Sequence, residues 1–318
     1  MAKIHSYCLD FLRDQNLIAT IETAQENQST TLNLSCYHVE TVPSAVFDMT
    51  VLKKLYLDEN HLHELPDCLS NLDNLHVLTV DHNHLKSLPT CLGVMRNLLH
   101  LNVSHNPLGS VPAHISTLES LDSLWLNTTE LKELPSSLQS LKNLTTLGAR
   151  GNAISNYPAQ LCSFVNLRWL TLERNQLRQL PEEFQNLKSL KHLNLSMNLF
   201  EEIPPVLVHI KGLQFCFMCS NLIAAVSEVM LQQLKHLKRL DLRGNPVTTD
   251  INRKMYTYVV LKTGQNHNME LESSDSEDYE ESIASSEINL SSGNSQEEQE
   301  PEVATTLPQL SRFAFSAV

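Results

Sequence analysis

Histidines return at a spacing of 23 residues in the first third of the chain, at His38, His61 and His84. Further groups with the same spacing are His82 with His105 and Asp58 with Asp81. Imidazole and carboxylate groups bind zinc in proteins, and imidazole also titrates near neutral pH. The column of three histidines is therefore a candidate metal or pH-sensing cluster. The alternative is that histidine is simply tolerated at a variable position that faces solvent.

Cys216 and Cys219 form a Cys-x-x-Cys sequence, a spacing that is common in redox and zinc sites. In the strand predicted for this segment, Cys216 faces the core and Cys219 faces outward, which argues against a shared site. The chain has no glycine-rich phosphate loop, no G-x-S-x-G and no H-E-x-x-H motif. We therefore expect no catalytic activity and no cofactor.

The element that must position these residues is a repeat that begins with leucine every 23 residues. The repeats start at Leu52, Leu75, Leu98, Leu121, Leu144, Leu167, Leu190 and Leu213, and then, after one extra residue, at Leu237. A divergent copy begins at Ser29, so about ten repeats fill residues 29–247. A fixed period of this length predicts a solenoid, in which each repeat buries its apolar face against its neighbours.

Within a repeat, positions four and six are apolar and flank an outward position five, which predicts a short strand with one buried face. Position nine is asparagine in eight repeats, and its amide can satisfy backbone groups in the turn that follows the strand. Position fifteen is proline in eight repeats, which favours a turn or the start of a short helix. Tyr37 and Thr129 replace the asparagine in the first and fifth repeats.

The pattern L-x-x-L-x-L-x-x-N-x-L-x-x-L-P resembles the intracellular leucine-rich-repeat family over roughly residues 29–263. Within the family it is most similar to Ras-suppressor proteins and Ras-binding scaffolds. The resemblance implies an α/β solenoid, a horseshoe with a parallel β-sheet on its concave side and helical caps. It also implies a signalling scaffold or adaptor whose partner is a small GTPase or a phosphatase.

Both tryptophans of the chain occupy outward positions of the predicted concave face, at Trp125 and Trp169. The sixth repeat, between them, offers small residues such as Gly148, so we expect a hollow flanked by two rings. Charged residues are expected at its rim: Arg150, Glu173 and Arg174. Tryptophan and arginine are enriched in binding hot spots, which predicts a partner site. The alternative is that these aromatic rings only pack on one another across neighbouring strands.

A second candidate surface is apolar and lies in the eighth and ninth repeats. Its outward residues are Met197, Leu199, Phe215, Phe217, Cys219 and Leu222. A contiguous exposed patch of this type usually marks an interface. The alternative is that Phe313 and Phe315, near the end of the chain, cover it.

The ends of the solenoid need caps, because a terminal repeat has a neighbour on one side only. Apolar residues within 1–28 are spaced for a helix that covers the first repeat, and a second capping helix is predicted over 248–264. No apolar run is long enough to span a membrane, and no secretory signal is visible. Seven scattered cysteines do not indicate a disulfide framework, so a cytoplasmic location is expected.

Residues 265–318 differ in composition from the rest of the chain. They contain twelve acidic residues and one basic residue, Arg312, which leaves 24 acidic and 22 basic residues before them. This composition predicts a disordered tail, and the nearly neutral body argues against nucleic-acid binding. Ser274 and Ser295 each precede an acidic residue by three positions and are candidate phosphorylation sites. Ser316 and Val318 fit a PDZ-domain ligand, so a junctional or cytoskeletal adaptor is the alternative function.

Overall fold

The structure is a computed structural model that describes the backbone of residues 2–249, 251 and 255–261, and the side chains from Asp14 onward within those ranges. Within these described residues, eleven short strands form one parallel sheet in which every strand pairs with its neighbour in the sequence. Their bounds are β1 Thr31–Asn33, β2 Lys54–Tyr56, β3 Val77–Thr79, β4 His100–Asn102, β5 Ser123–Trp125, β6 Thr146–Gly148, β7 Trp169–Thr171, β8 His192–Asn194, β9 Phe215–Phe217, β10 Arg239–Asp241 and β11 Val259–Val260. The predicted solenoid with its parallel sheet is confirmed.

The register of the sheet follows the sequence period. Leu55 pairs with Leu78, which in turn pairs with Leu101, so that residues 23 apart lie side by side. The leucines at positions four and six are almost completely buried, as Leu78 and Leu101 illustrate. Because each position of the repeat forms a straight row across the sheet, the residues that can form a site are those that share or adjoin a row.

In the part of the chain that the structure describes, eight 3-10 helices run along the side opposite the strands. Their bounds are Ser44–Asp48, Asp67–Asn71, Thr90–Val94, Ala113–Thr117, Ser136–Ser140, Ala159–Ser163, Glu182–Asn186 and Pro205–His209. Each begins directly after the proline of position fifteen, as Pro89 does for Thr90–Val94. Proline fixes a backbone angle suited to this entry and lacks the N–H that a strand would need to pair. In the ninth repeat Ser227 replaces the proline and caps the α-helix α2 (Glu228–Gln233), where its side chain accepts a hydrogen bond from the Met230 N–H.

The asparagines of position nine form a buried ladder beside the strands. The Asn106 amide donates to the carbonyls of Val80 and Val103 at 2.9 and 3.0 Å. Its Oδ1 accepts from the Leu85 N–H of the preceding repeat at 2.9 Å. One side chain therefore satisfies backbone groups of two repeats and fixes their stacking, as the sequence predicted.

The N-terminal helix α1 (Ala2–Glu26) lies within the predicted cap of residues 1–28. It buries Leu17, Ile21 and Ala24 in the continuous hydrophobic core of the solenoid. The Thr20 hydroxyl hydrogen-bonds the Tyr37 hydroxyl at 3.0 Å, so the residue that replaces asparagine in the first repeat contacts the cap.

The capping helix predicted for residues 248–264 is wrong in the described part of that segment. Residues 255–261 contain a turn and the strand β11, which pairs in parallel with β10. The last repeat would otherwise present unpaired backbone groups at the sheet edge, and β11 satisfies them: Leu240 donates to the Tyr258 carbonyl at 2.8 Å. The β-branched Val259 and Val260 suit this extended conformation.

The tail of residues 265–318 lies outside the described residues, together with Ser274, Ser295, Ser316 and Val318. Among the described helices, none combines the length and the apolar character that crossing a bilayer requires.

Candidate functional site

Three aromatic rings stack along the concave row of position three. Trp169 of β7 lies 4.5 Å from His192 of β8 between ring centroids, and His192 lies 4.7 Å from Phe215 of β9. Their planes are inclined by 17° and 7°, so the rings are nearly parallel. We call Trp169, His192 and Phe215 the ring ladder. It joins the two surfaces that the sequence analysis treated as separate candidates.

The ring ladder explains why Trp169 is only 5% exposed although it occupies an outward position. Its neighbour Leu170 belongs to the continuous core, whereas Trp169 does not. The indole is therefore covered by the side chains around it on the concave face, chiefly the His192 ring. Stacking across neighbouring strands was the alternative to a partner site, and this stacking is what the structure shows for Trp169.

The Trp125 ring occupies the space above Gly148, which the sequence predicted to be part of an open hollow. Gly148 pairs with Trp125 in the adjacent strand, and the Trp125 ring lies over it. A Cβ placed on Gly148 would approach the Trp125 Cε3 to 2.3 Å, which no real side chain tolerates. Gly148 is buried and Trp125 is half-buried, because the large ring fills the space that the small residue leaves.

The charged residues expected at the rim divide into two groups. Glu173 is buried and lies 3.6 Å from Arg150, measured from carboxylate Oε1 to guanidinium Nε. Its other oxygen accepts a hydrogen bond of 2.9 Å from the Asn194 amide. Arg174 is exposed and has a left-handed backbone with a φ of 53°. Only Arg174 of this group therefore presents a freely accessible charge.

The C-terminal patch consists of Met197, Leu199, Phe215, Phe217, Cys219 and Leu222. Met197 and Leu222 are 41% and 47% exposed. The two phenylalanines carry cations on their faces, since Lys238 Nζ lies 5.8 Å from the Phe215 ring centroid and Arg239 Cζ lies 5.7 Å from that of Phe217. The patch is thus an apolar surface with a basic margin, a combination that attracts partners with apolar and acidic residues.

A buried carboxylate fixes the margin of this patch. The Asp241 side chain is fully buried and accepts hydrogen bonds from Arg239 at 2.8 Å and Arg243 at 3.0 Å. Burial raises the pKa of Asp241, but the bonds from Arg243, Cys219 and Arg239 outweigh it and hold that pKa below its ordinary value. Asp241 therefore holds both arginines, and Arg239 lies over the Phe217 ring.

His192 is the residue of this surface that the sequence analysis missed. Burial, with the nearby charge of Lys238, lowers its pKa from 6.5 to about 4, so the ring is neutral at physiological pH. Its Nδ1 is buried and has no hydrogen-bond partner among the described residues. The signal was available, since Trp169, His192 and Phe215 follow one another at the repeat period, but it requires comparison of one position across repeats.

The histidine column stacks as the spacing predicted. The ring centroids of His38 and His61 are 5.2 Å apart, and those of His61 and His84 are 5.6 Å apart. These rings lie face to face and do not gather around a carboxylate. In the part of the chain that the structure describes, the groups that converge as metal ligands are instead Asp81, His82 and His105.

The Cys-x-x-Cys sequence does not form a joint site. Cys216 is fully buried in the core, and Cys219 is half-buried on the outward side, as the strand register predicted. Burial raises the pKa of each thiol to about 12, so neither is a reactive thiolate.

Two family models match the chain. A leucine-rich repeat region matches residues 31–151, and the single leucine-rich repeat matches residues 166–187 and 189–210, which together make just over half of the sequence. The chain is a leucine-rich-repeat protein. The matched stretches contain the strands β1 to β8 and, on the concave face, Trp125, Gly148, Arg150, Trp169 and His192. No curated protein sequence matches the chain at a significant level.

Solved leucine-rich-repeat structures resemble this one. The ectodomain of the plant membrane receptor kinase GASSHO1/SCHENGEN3 from Arabidopsis thaliana, in complex with CASPARIAN STRIP INTEGRITY FACTOR 2, is 29% identical with a TM-score of 0.62. The match covers 74% of this chain and 30% of that one. The PEPR1-AtPEP1 structure is 28% identical with a TM-score of 0.53, covering 64% of this chain and 33% of that one. This chain thus spans about a third of the length of either receptor.

Proposed function

We propose that this leucine-rich-repeat protein is a non-enzymatic adaptor in intracellular signalling. It binds a partner protein on its concave face, over the ring ladder and the C-terminal patch. By the resemblance to Ras-binding scaffolds, the partner is a small GTPase or a phosphatase. The observation that carries the proposal is the continuity of aromatic and apolar side chains from Trp169 to Leu222 across three repeats.

Several features support this location. Leucine-rich-repeat proteins are typically interaction scaffolds, and solenoids bind partners on the concave surface. Two of the similar structures are complexes with a second component. Stacked rings lose little conformational freedom when a partner covers them, so the ring ladder is preorganised for binding. The basic margin formed by Lys238 and Arg239 suits an acidic partner surface.

The test replaces two exposed apolar residues of the patch by charged ones, in the double variant Met197→Glu, Leu222→Glu. Both side chains are accessible, so the fold should be preserved while binding is lost. We expect the affinity for a purified small GTPase or phosphatase partner, measured by calorimetry, to fall at least about 30-fold, the loss of about 2 kcal/mol typical of a hot spot.

A matched control is available on the opposite side of the solenoid. Val94 and Val165 are 66% and 60% exposed, so Val94→Glu, Val165→Glu introduces the same charges away from the concave face. This control should bind as the unaltered chain does. The concave location would be overturned if Met197→Glu, Leu222→Glu bound the partner as tightly as the unaltered chain does. It would also be overturned if both double variants lost affinity equally, since the added charge alone would then explain the loss.

A further inference from the structure

Asp81, His82 and His105 form a compact cluster in the third and fourth repeats, away from the ring ladder. The Asp81 Oδ1 lies 3.0 Å from the Nδ1 of His82 and 2.8 Å from the Nδ1 of His105. The two imidazole rings stack with centroids 3.8 Å apart and planes inclined by 20°. Two nitrogen atoms and a carboxylate oxygen therefore face one another, and all lie within 4.8 Å.

The backbone holds this arrangement in place. His82 and His105 occupy the same position of adjacent repeats, and both have left-handed backbones, with φ of 51° and 50°. This conformation is uncommon for residues with a side chain and projects both imidazoles to one side of the turn. The Asp81 backbone N–H donates to Asp58 Oδ1 at 2.8 Å, which fixes the backbone that carries the Asp81 carboxylate.

One oxygen of the cluster, Asp81 Oδ1, has three nitrogen atoms within hydrogen-bonding distance. The Asp81 Oδ1 already accepts the His82 backbone N–H at 2.8 Å, and both imidazole Nδ1 atoms approach the same oxygen. A metal ion between these three groups relieves the crowding, because each imidazole nitrogen then binds the ion and no longer competes for the one oxygen.

We propose that Asp81, His82 and His105 form a binding site for a divalent transition metal, Zn²⁺ in the first place. Two imidazole nitrogens with one carboxylate oxygen are a usual set of three protein ligands for zinc, and a fourth, open position is left for water or for a group of a partner. Mg²⁺ and Ca²⁺ prefer oxygen ligands and are not expected to bind.

Binding of the ion requires the ligand atoms to separate and the two imidazoles to turn out of their nearly parallel stack. Ligands about 2.0–2.2 Å from a tetrahedral zinc ion lie roughly 3.3–3.5 Å from one another. The present contacts of 2.8 and 3.0 Å must therefore open by about half an ångström. The side chains of His82 and His105 are 55% and 38% exposed, so they can rotate by this amount and the ion can reach them from solvent.

The histidine column provides the matched comparison. His84 neighbours the cluster in sequence and stacks on His61, but its ring is not among the converging ligands. Replacement of His105 by asparagine removes one ligand while retaining a residue that adopts left-handed backbones readily. Replacement of His84 by asparagine removes a histidine of similar exposure outside the cluster.

The experiment titrates Zn²⁺ alone into the full chain, treated beforehand with a chelator, and measures binding by calorimetry. The unaltered chain should bind one more equivalent than His105→Asn, or bind it at least about tenfold more tightly. Asp81→Asn should show the same loss, and His84→Asn should match the unaltered chain. Mg²⁺ should give no heat at the same concentrations, and circular dichroism melting establishes that each variant is folded.

Three results would overturn the proposal. They are the absence of Zn²⁺ binding by the unaltered chain, equal binding by the unaltered chain and His105→Asn, and a loss confined to His84→Asn. The last would place the metal on the histidine column instead. None of these results bears on the adaptor function, which rests on the ring ladder at the other end of the sheet.

Discussion

Single side chains of position nine hold neighbouring repeats together, and their effect depends on how many backbone groups each one satisfies. Asn106 is buried, donates to three carbonyls and accepts one N–H. Thr129, its counterpart in the fifth repeat, is equally buried, but its hydroxyl reaches just two acceptors, the Leu126 carbonyl at 2.7 Å and the Asn152 Oδ1 at 3.2 Å. The Leu108 N–H, which an asparagine at 129 would accept, turns instead to the Asn106 carbonyl at 2.8 Å.

Asn106→Ala and Thr129→Ala should therefore differ in their cost to stability. The first leaves the Leu85 N–H and several carbonyls unsatisfied in the interior, so we expect a loss of about 3 kcal/mol in the free energy of unfolding. The second removes one hydroxyl, which has a single proton to share between Leu126 and Asn152, and should cost about 1 kcal/mol. Urea unfolding followed by circular dichroism measures both, and losses of equal size would contradict the ladder argument.

The positions that face the core could be predicted from the sequence because the repeat period alone fixes them. The exposure of side chains on the concave face could not be predicted, because it depends on the orientation of each large ring relative to the neighbouring side chains. Trp125 covers Gly148 because glycine leaves room on that side, and Trp169 is covered because His192 stacks on it. Register predicts the direction of a Cβ, whereas the position of a ring also requires the neighbouring side chains.

At the scale of elements, the sheet edge decides the fold of the C-terminal segment. The apolar residues of 248–264 are spaced acceptably for a helix, which is why the sequence favoured one. The strand β10 exposes backbone donors and acceptors at its outer edge, and β11 pairs with them. The spacing of apolar residues does not reveal that the edge of β10 must be paired, because this edge exists only once the preceding strands have assembled into a sheet.

The ring ladder predicts a pH dependence that can be isolated in one variant. Burial and the charge of Lys238 lower the pKa of His192 from 6.5 to about 4, so the unfolded chain takes up a proton at this residue before the folded chain does. Stability from this source is complete above pH 6.5 and decreases as the pH falls towards about 4.

His192→Phe keeps a ring between Trp169 and Phe215 but removes the titration. Its melting temperature should therefore decrease less than that of the unaltered chain as the pH is lowered from 6.5 to about 4. Differential scanning calorimetry over this range tests the prediction. Parallel decreases in the two proteins would show that His192 is not held neutral by its surroundings.

At the scale of the molecule, one continuous core runs through residues 17–259 and is closed at its ends by α1 and β11. Each repeat contacts mainly its neighbours, so stability accumulates along the chain and the ends are the places where it is most easily lost. The compact unit of residues 1–263 contains every described element.

A chain that ends at Thr263 should melt within about 2 °C of the full chain, because it keeps the entire described core. A chain that ends at Thr249 should melt at least about 4 °C lower, since it loses the buried Ile251, Tyr256 and Val259 and uncovers the edge of β10. Scanning fluorimetry of the three chains provides the comparison. A similar decrease in both truncated chains would mean that residues beyond Thr263 contribute to stability.

The spacing of the strands also constrains the sequence of an extended peptide that binds across them. Neighbouring strands are about 4.8 Å apart, whereas an extended polypeptide advances about 3.3 Å per residue. In an extended peptide that lies along the solenoid axis, successive residues therefore do not match successive strands. Three residues of the peptide span about the same length as two repeats, so every third residue meets an equivalent position of the sheet. Side chains that anchor such a ligand should recur at every third position of its sequence.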